Sequence, residues 1–360
     1  MRVILACGGT GGHLFPAIAL AEALRDKDEK CSILFIGSKK GLEEKVLSRY
    51  GFPLRTLEVY GIKGKGIFDK SFSFLKAGLA TISSVGMIRE FKPDFVIGTG
   101  GYSSGPVVIA AKVMGIRTAI LEQNTLPGAT NRFLGKYVDR VFLAFPETVR
   151  FFRTEKVVVA GNPVRKEIRE ISKLKTQNSE RKTILVFGGS QGAKAINSIF
   201  LDSLNYLKDR FDLHIIHQTG EEDYERVMEV YDKFQISNFK FQIFRFIDDM
   251  AGAYSKADIV ICRSGATSIA EITAIGKVSI LIPYPYASDN HQEVNARYLS
   301  DKGAAIMLRQ EDIKGEKLAE VIIRLYESKN ELQEIGERAL KLGNLNAGSI
   351  IAEEIYALGS

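Results

Sequence analysis

The chain has 360 residues, 45% hydrophobic and 26% charged, with no low-complexity tract. These figures exclude a disordered or fibrous protein and predict two folded domains of roughly 150–200 residues each. Lys and Arg number 49 against 43 Asp and Glu, a net charge of +6, which suits an anionic substrate or a negatively charged membrane surface and is too small to argue for nucleic acid. Cys7, Cys31 and Cys262 are isolated, without metal-like spacing, and are expected as small core residues in a reducing cytoplasm. The first apolar run is too short for a signal peptide and no stretch of about 18 apolar residues occurs, so a membrane would be met from the side.

The first half alternates strand-like and helix-like segments. Val3-Ile4-Leu5-Ala6 leads into Gly8-Gly9-Thr10-Gly11-Gly12-His13, and Leu14 to Leu24 follows as a helix with Leu14, Ile18, Ala21 and Leu24 on one face. Strands are expected at Ser32–Ile36, Leu54–Val59, Phe95–Ile97, Thr118–Leu121, Val141–Leu143 and Val157–Val159, and helices at Leu42–Tyr50, Phe72–Phe91 and Pro106–Met114. Gly98-Thr99-Gly100-Gly101-Tyr102 and Glu122-Gln123-Asn124 stand at strand ends. Gly161-Asn162-Pro163-Val164-Arg165 breaks the rhythm, a polar stretch from Ser172 to Lys182 follows, and the opening theme returns. Lys182–Phe187 is a strand, Gly188-Gly189-Ser190-Gln191-Gly192 a glycine loop, and Ile196, Phe200, Leu204 and Leu207 the buried face of a helix. Later strands are expected at Leu213–His217, Phe239–Phe244, Ile259–Cys262 and Ser279–Ile282, and a final helix at Ile350–Leu358, free to pack on either domain. The pattern predicts an α/β protein of two Rossmann-like parallel-sheet domains, with ligands beyond the carboxyl ends of the strands in a cleft between them.

Bare glycine backbone lets N–H groups approach an anion closely. Neither glycine loop ends in Gly-Lys-Ser/Thr, which removes the nucleotide-hydrolysing P-loop. A dinucleotide fold is disfavoured too: Leu14 takes the place of the third glycine, and the second strand ends Gly37-Ser38-Lys39-Lys40, without an acid for ribose. What remains is an anion or sugar-nucleotide site. In Arg263-Ser264-Gly265-Ala266-Thr267-Ser268-Ile269-Ala270-Glu271, hydroxyls and a helix start offer donors to a diphosphate, and Glu271 is spaced to accept from ribose; an ordinary capped helix is the plainer alternative. Carboxylate, amides and imidazole in Pro283 to Ala296 match the donor–acceptor needs of sugar hydroxyls. His291 has no assigned role there. Asp26-Lys27-Asp28 has the spacing of a divalent-ion motif but sits at the far end of the first helix and reads as a solvated end, so no metal or other cofactor is required.

Together with Phe246-Ile247-Asp248-Asp249-Met250, these motifs, in this order from Arg2 to beyond Ala296, closely resemble the MurG family, the bacterial N-acetylglucosaminyltransferases of peptidoglycan synthesis in glycosyltransferase family 28. The resemblance implies a GT-B fold with an acceptor- and membrane-facing domain over 1–163 and a donor domain over 164–342. It implies inverting transfer of GlcNAc from UDP-GlcNAc to the C4 hydroxyl of the MurNAc-pentapeptide of lipid I, the undecaprenyl-diphosphate-linked acceptor, giving lipid II. By position, Thr10, Gly11, Gly12 and Asn124 would meet the substrates from the N-terminal domain. Arg165, Ser190, Ile247, Ala266, Thr267, Ser268, Glu271 and Gln292 would hold UDP-GlcNAc from the C-terminal one, with Arg165 and helix N-termini neutralising the leaving diphosphate. Ala266-Thr267-Ser268 departs from the family's Ala-Leu-Thr, which puts a side-chain role for Thr267 in question, and the alignment of Gln292 could slip by one.

His13 is the expected general base, since a helix N-terminus disfavours imidazolium and keeps the ring neutral; Glu122 is the second candidate, and a bystander His13 that only hydrogen-bonds substrate is the competing reading. Between Tyr60 and Lys92 six basic residues stand against two acidic ones, with Phe68, Phe72, Phe74, Leu75 and Leu79 among them. Such a surface suits docking on anionic lipid at the cytoplasmic face of the membrane, although the 72–91 stripe would also suit packing on its own sheet. The alternatives are a GT-B transferase or epimerase with a soluble acceptor, and a noncatalytic sugar-nucleotide binding protein.

Overall fold

The computed structural model describes all residues except Thr10, 39–42, 59–66, 173–181, Asp209, 235–237 and Ser360, and leaves out the side chains of Lys45 and 67–77. The chain forms two compact units, Met1–Lys166 with Asn344–Ser360, and Glu167–Gly343.

The first unit is built on seven parallel strands: β1 (Arg2–Cys7), β2 (Ser32–Ser38), β3 (Leu54–Leu57), β4 (Phe95–Gly100), β5 (Arg117–Glu122), β6 (Arg140–Leu143) and β7 (Val157–Val159), in the order β3-β2-β1-β4-β5-β6-β7. Successive side chains of a strand face opposite ways, and a sheet covered on both faces therefore needs an unbroken apolar run. β1 supplies one: Val3, Leu5 and Cys7 enter a core with Leu14, Ile18, Leu24 and Phe35, while Ile4 and Ala6 enter a second with Ile88, Val107 and Val108. The Ala347–Gly359 helix belongs to this unit and adds Ile351, Ala352 and Ile355 to the first core. In the Ile67–Phe91 helix the face buried after residue 77 runs through Ala80, Ser84 and Ile88, so Leu79 and Ile82, expected on the apolar stripe, are 57% and 70% exposed.

The second unit repeats the plan with β8 (Lys182–Phe187), β9 (Leu213–Gln218), β10 (Phe239–Phe244), β11 (Ile259–Cys262), β12 (Val278–Leu281) and β13 (Ile306–Met307), ordered β10-β9-β8-β11-β12-β13 and again parallel. Its core gathers Ile184, Val186, Phe200, Leu204, Ile215 and Ile261 under Leu318 and Ile322 of the Gly315–Glu327 helix. β13 and the Gly315–Glu327 and Lys329–Leu342 helices add to the elements expected from sequence. All three cysteines are buried and free.

In both sheets the strand order reverses beside the first strand, between β1 and β4 and between β8 and β11. Connections there leave toward opposite faces, which opens a crevice at the carboxyl ends of the two strands.

Candidate active site

At the reversal in the first unit the ladder is irregular. Ala6 pairs with Gly98 but Cys7 with Gly100, so Thr99 is an extra residue on β4, a bulge of the kind that re-aims backbone groups. Its carbonyl leaves the ladder and meets His13, whose Nδ1 lies 3.0 Å away. A carbonyl oxygen only accepts, so Nδ1 carries the hydrogen and a neutral ring keeps its lone pair on Nε2. Thr99 Oγ1 in turn donates to the His13 carbonyl at 3.0 Å, fixing the first turn of the Gly11–Lys27 helix. Gly100 makes this approach feasible, with φ at +104° and a Cβ that would stand 2.5 Å from His13 Nδ1. Gln123, just past β5, donates from Nε2 to the same Thr99 carbonyl at 2.6 Å.

Sequence reasoning found no acid at the end of β2, yet the structure places one there. Glu43, the first residue of the Glu43–Tyr50 helix, turns back so that Oε1 accepts from Gly9 N at 3.0 Å, Ser38 N at 3.3 Å and Ser38 Oγ at 3.1 Å. The carboxylate is 1% exposed and Oε2 has no hydrogen-bond partner among the described residues. It therefore braces the glycine turn from inside the fold.

Glu122 is buried, and both of its oxygens are committed locally. Oε1 accepts from Asn124 N and Nδ2, and Oε2 from Asn131 Nδ2 at 2.9 Å and Gly128 N at 3.2 Å. Burial raises its pKa, against the lowering effect of these donors. The arrangement shapes the loop that carries Asn124. Gly11 and Gly12 open the helix that carries His13, and Thr10 lies outside the described residues. Arg165, expected with the C-terminal half, lies in the first unit. Its guanidinium stands 4.5 Å from the Phe15 ring centroid, and the next residue ties down through Lys166 N to Glu22 Oε2 at 3.0 Å; this local packing carries the first unit three residues beyond the expected break after residue 163.

In the second unit Gln218, at the end of β9, joins two of the expected segments: Nε2 donates to Gly189 O and Oε1 accepts from Ile247 N, both at 2.8 Å. Ser190 is exposed at the tip of the glycine loop and Ile247 is buried. After β11, Arg263 is buried and donates to the carbonyls of Ile282 and Pro283 at 3.0 Å and to Gln310 Oε1 at 2.7 Å. Burial pulls its pKa down to about 10, which leaves it charged at neutral pH. Ser264 Oγ donates to Gln292 O at 2.7 Å, and Gln292 Oε1 accepts from Tyr284 N at 3.0 Å. The Arg263–Glu271 run and the Tyr284–Gln292 loop are thus one knitted structure. Gly265 precedes the Ala266–Ala274 helix with no side-chain cap of its own, and the helix start at Ala266, Thr267 and Ser268 has the anion-attracting character of a helix N-terminus. Glu271 is 4% exposed and accepts from Tyr254 Oη at 3.3 Å, a more enclosed setting than the first-turn spacing suggested.

Thr99, Gln123, Glu43 and Gln218 are the residues that sequence reasoning did not single out. Thr99 and Gln123 stood inside motifs already recognised; Glu43 and Gln218 gave no local signal.

The model of the glycosyltransferase family 28 N-terminal domain matches residues 3–143 and that of its C-terminal domain residues 183–348. The chain belongs to glycosyltransferase family 28. It is 48% identical, over 99% of both chains, to the UDP-N-acetylglucosamine--N-acetylmuramyl-(pentapeptide) pyrophosphoryl-undecaprenol N-acetylglucosamine transferase of Syntrophus aciditrophicus. It is 46% identical to the Myxococcus xanthus enzyme of the same name, over 98% of this chain and 92% of the other. Among solved structures, Acinetobacter baumannii MurG superposes with a TM-score of 0.78 at 34% identity, covering 99% of each chain. The two parallel sheets with flanking helices make this family 28 member a GT-B protein. A Neisseria meningitidis UDP-GlcNAc 2-epimerase, at 16% identity and a TM-score of 0.68, shares that fold.

Proposed function

We propose that this protein transfers N-acetylglucosamine from UDP-GlcNAc to the C4 hydroxyl of the MurNAc-pentapeptide of lipid I, with inversion, forming lipid II. The observation that carries the reading is the bond from His13 Nδ1 to the Thr99 carbonyl, which orients the ring and leaves Nε2 as the basic nitrogen. His13 Nε2 takes the proton of the C4 hydroxyl, the oxygen attacks the anomeric carbon, and the bond to the UDP oxygen breaks on the opposite face. General base assistance of this kind typically contributes about 10²–10⁴-fold. Gly11, Gly12, Asn124 and, from sequence alone, Thr10 attend the acceptor and the transferred sugar. Ser190, Ile247, Ala266, Thr267, Ser268, Glu271 and Gln292 hold the donor, the Ala266–Ala274 helix N-terminus facing its diphosphate; Arg165 keeps a phosphate-neutralising role. Glu122 acts as the organiser of the Asn124 loop rather than as the base.

The protein works peripherally at the cytoplasmic face of the membrane, against anionic lipid. No helix among the described residues is long and apolar enough to cross a membrane, and the exposed Leu79 and Ile82 on a helix that also carries lysines favour contact from the side. The side chains of 67–77, including Phe68, Phe72, Phe74 and Leu75, lie outside the described residues.

A transfer assay with radiolabelled UDP-GlcNAc and a lipid I analogue tests the function; label that stays in the nucleotide or emerges as an epimer would refute it. Sedimentation with vesicles tests the docking, which requires binding that rises with anionic lipid and falls with salt.

A further inference from the structure

Gln123 is 1% exposed, and its amide is used on one side only. Nε2 donates to Thr99 O at 2.6 Å, whereas Oε1 is buried with no hydrogen-bond partner among the described residues. A buried amide oxygen without a partner works against stability, so an apolar side chain of similar size would serve packing better. What the amide does is occupy the oxygen that also receives His13 Nδ1–H, at 3.0 Å. Thr99 O thus takes two donors, and the shorter contact belongs to the amide.

We propose that Gln123 is a positioning residue that sets the proton affinity of His13 by competing with its Nδ1–H for the Thr99 carbonyl. When Nε2 gains a proton the ring becomes a cation and Nδ1–H a charge-assisted donor, which gains most from a carbonyl it does not share. Gln123 limits that gain. It keeps the ring neutral to lower pH and lets it release a proton to solvent more readily after each transfer. The effect on the ring rests on geometry alone; the effect on rate rests on His13 being the base.

The ionisable groups on the neighbouring elements are few. At the carboxyl ends of the strands, β1 brings Cys7, the start of the Glu43–Tyr50 helix Glu43 and Glu44, β5 Glu122, and the segment before Lys166 Arg165, while β4 brings none; Arg2 and Arg117 stand at the opposite ends of β1 and β5. The Ser104–Val113 helix carries only Lys112, paired with Asp139 at the opposite end of the sheet, and the last helix sends Tyr356 to Asp28 and Glu354 to Arg140. All of these stay in place when Gln123 alone is replaced.

The test is a pair of titrations on the full chain. With ring-labelled histidine, NMR follows four imidazoles, and His13 is assigned by the signal lost in His13→Gln. In Gln123→Met the His13 midpoint is expected about half a pH unit or more above that of the native chain, and the acid limb of the transfer rate should rise with it. An unmoved His13 midpoint in a Gln123→Met chain that unfolds like the native one overturns the inference, as does a loss of rate with both titrations unchanged. Gln123→Leu gives the same readout if the Met variant does not fold. A midpoint that moves while the acid limb stays put supports the competition at the carbonyl and refutes instead the reading of His13 as base.

Discussion

Glu43 Oε1 takes the backbone N–H of Gly9 at 3.0 Å, so an acid 34 residues further along the chain sets the turn of the first glycine loop. Gly9 sits at φ +92°, and the same oxygen also holds the end of β2 through Ser38. Glu43→Ala strands two backbone donors and is expected to destabilise the first unit by about 2–4 kcal/mol, measured by denaturant unfolding. Glu43→Gln keeps an acceptor in place and should retain most of that stability. In transfer assays Glu43→Ala should raise KM for the lipid acceptor about tenfold or more while leaving KM for UDP-GlcNAc near native.

His13 and Glu122 separate by substitution. His13→Ala should lower kcat by about 10²–10⁴-fold with donor affinity unchanged. Glu122→Gln loses the match to Gly128 N and Asn131 Nδ2 and should lower the unfolding midpoint, yet kcat per folded molecule should stay within about tenfold of native. A loss in Glu122→Gln as deep as that in His13→Ala would return the base role to the carboxylate.

Gly100 offers a test of ring placement that leaves His13 itself intact. The Cβ of Gly100→Ala meets Nδ1 at 2.5 Å, and φ of +104° is poor for alanine. The ring must turn away from the Thr99 carbonyl, so kcat should fall toward the His13→Ala level while UDP-GlcNAc binding, measured calorimetrically, persists.

Glu293 gives a pH signature in the second unit. Its oxygens accept from Asn290 Nδ2, Arg297 and Arg309, and these bonds hold its pKa down to about 2. A carboxylate depressed in the folded state contributes stability in full above its ordinary value near 4.5 and loses it as pH falls toward 2. Native protein and Glu293→Gln should therefore differ most at neutral pH and converge at about pH 2 when unfolding midpoints are compared. Because Asn290 and the neighbouring Asp289 hold left-handed φ values of 55° and 54°, the same variant should loosen the turn before Gln292 and raise KM for the donor.

Much of the fold was legible because its signals are local. The apolar runs that became β1, β4, β8 and β11, and the glycines after them, sit next to one another in sequence and need no knowledge of distant partners. Short pieces escaped for the same reason: β13 has two residues, too few for a period. At the site, His13 announced itself by composition, but its partner did not. Thr99 lies 86 residues away, and its carbonyl points at the ring because the ladder slips by one residue, an event of strand pairing rather than of residue type. Glu43 looked like an ordinary first-turn acid, and Gln218 an ordinary strand end. Arg165 fell on the other unit because a boundary drawn at Gly161–Pro163 cannot register the stacking on Phe15 that follows it.

The Ala347–Gly359 helix completes a core that begins with Val3, although the whole of Glu167–Gly343 comes between them in the chain. A chain cut after Gly343 would therefore hold the whole of the second unit while the first still lacked Ile351, Ala352 and Ile355. In such a truncated chain the middle should be protease-resistant while the beginning stays sensitive. Chains stalled near residue 343 would display the first sheet with an apolar face uncovered, a natural substrate for chaperones.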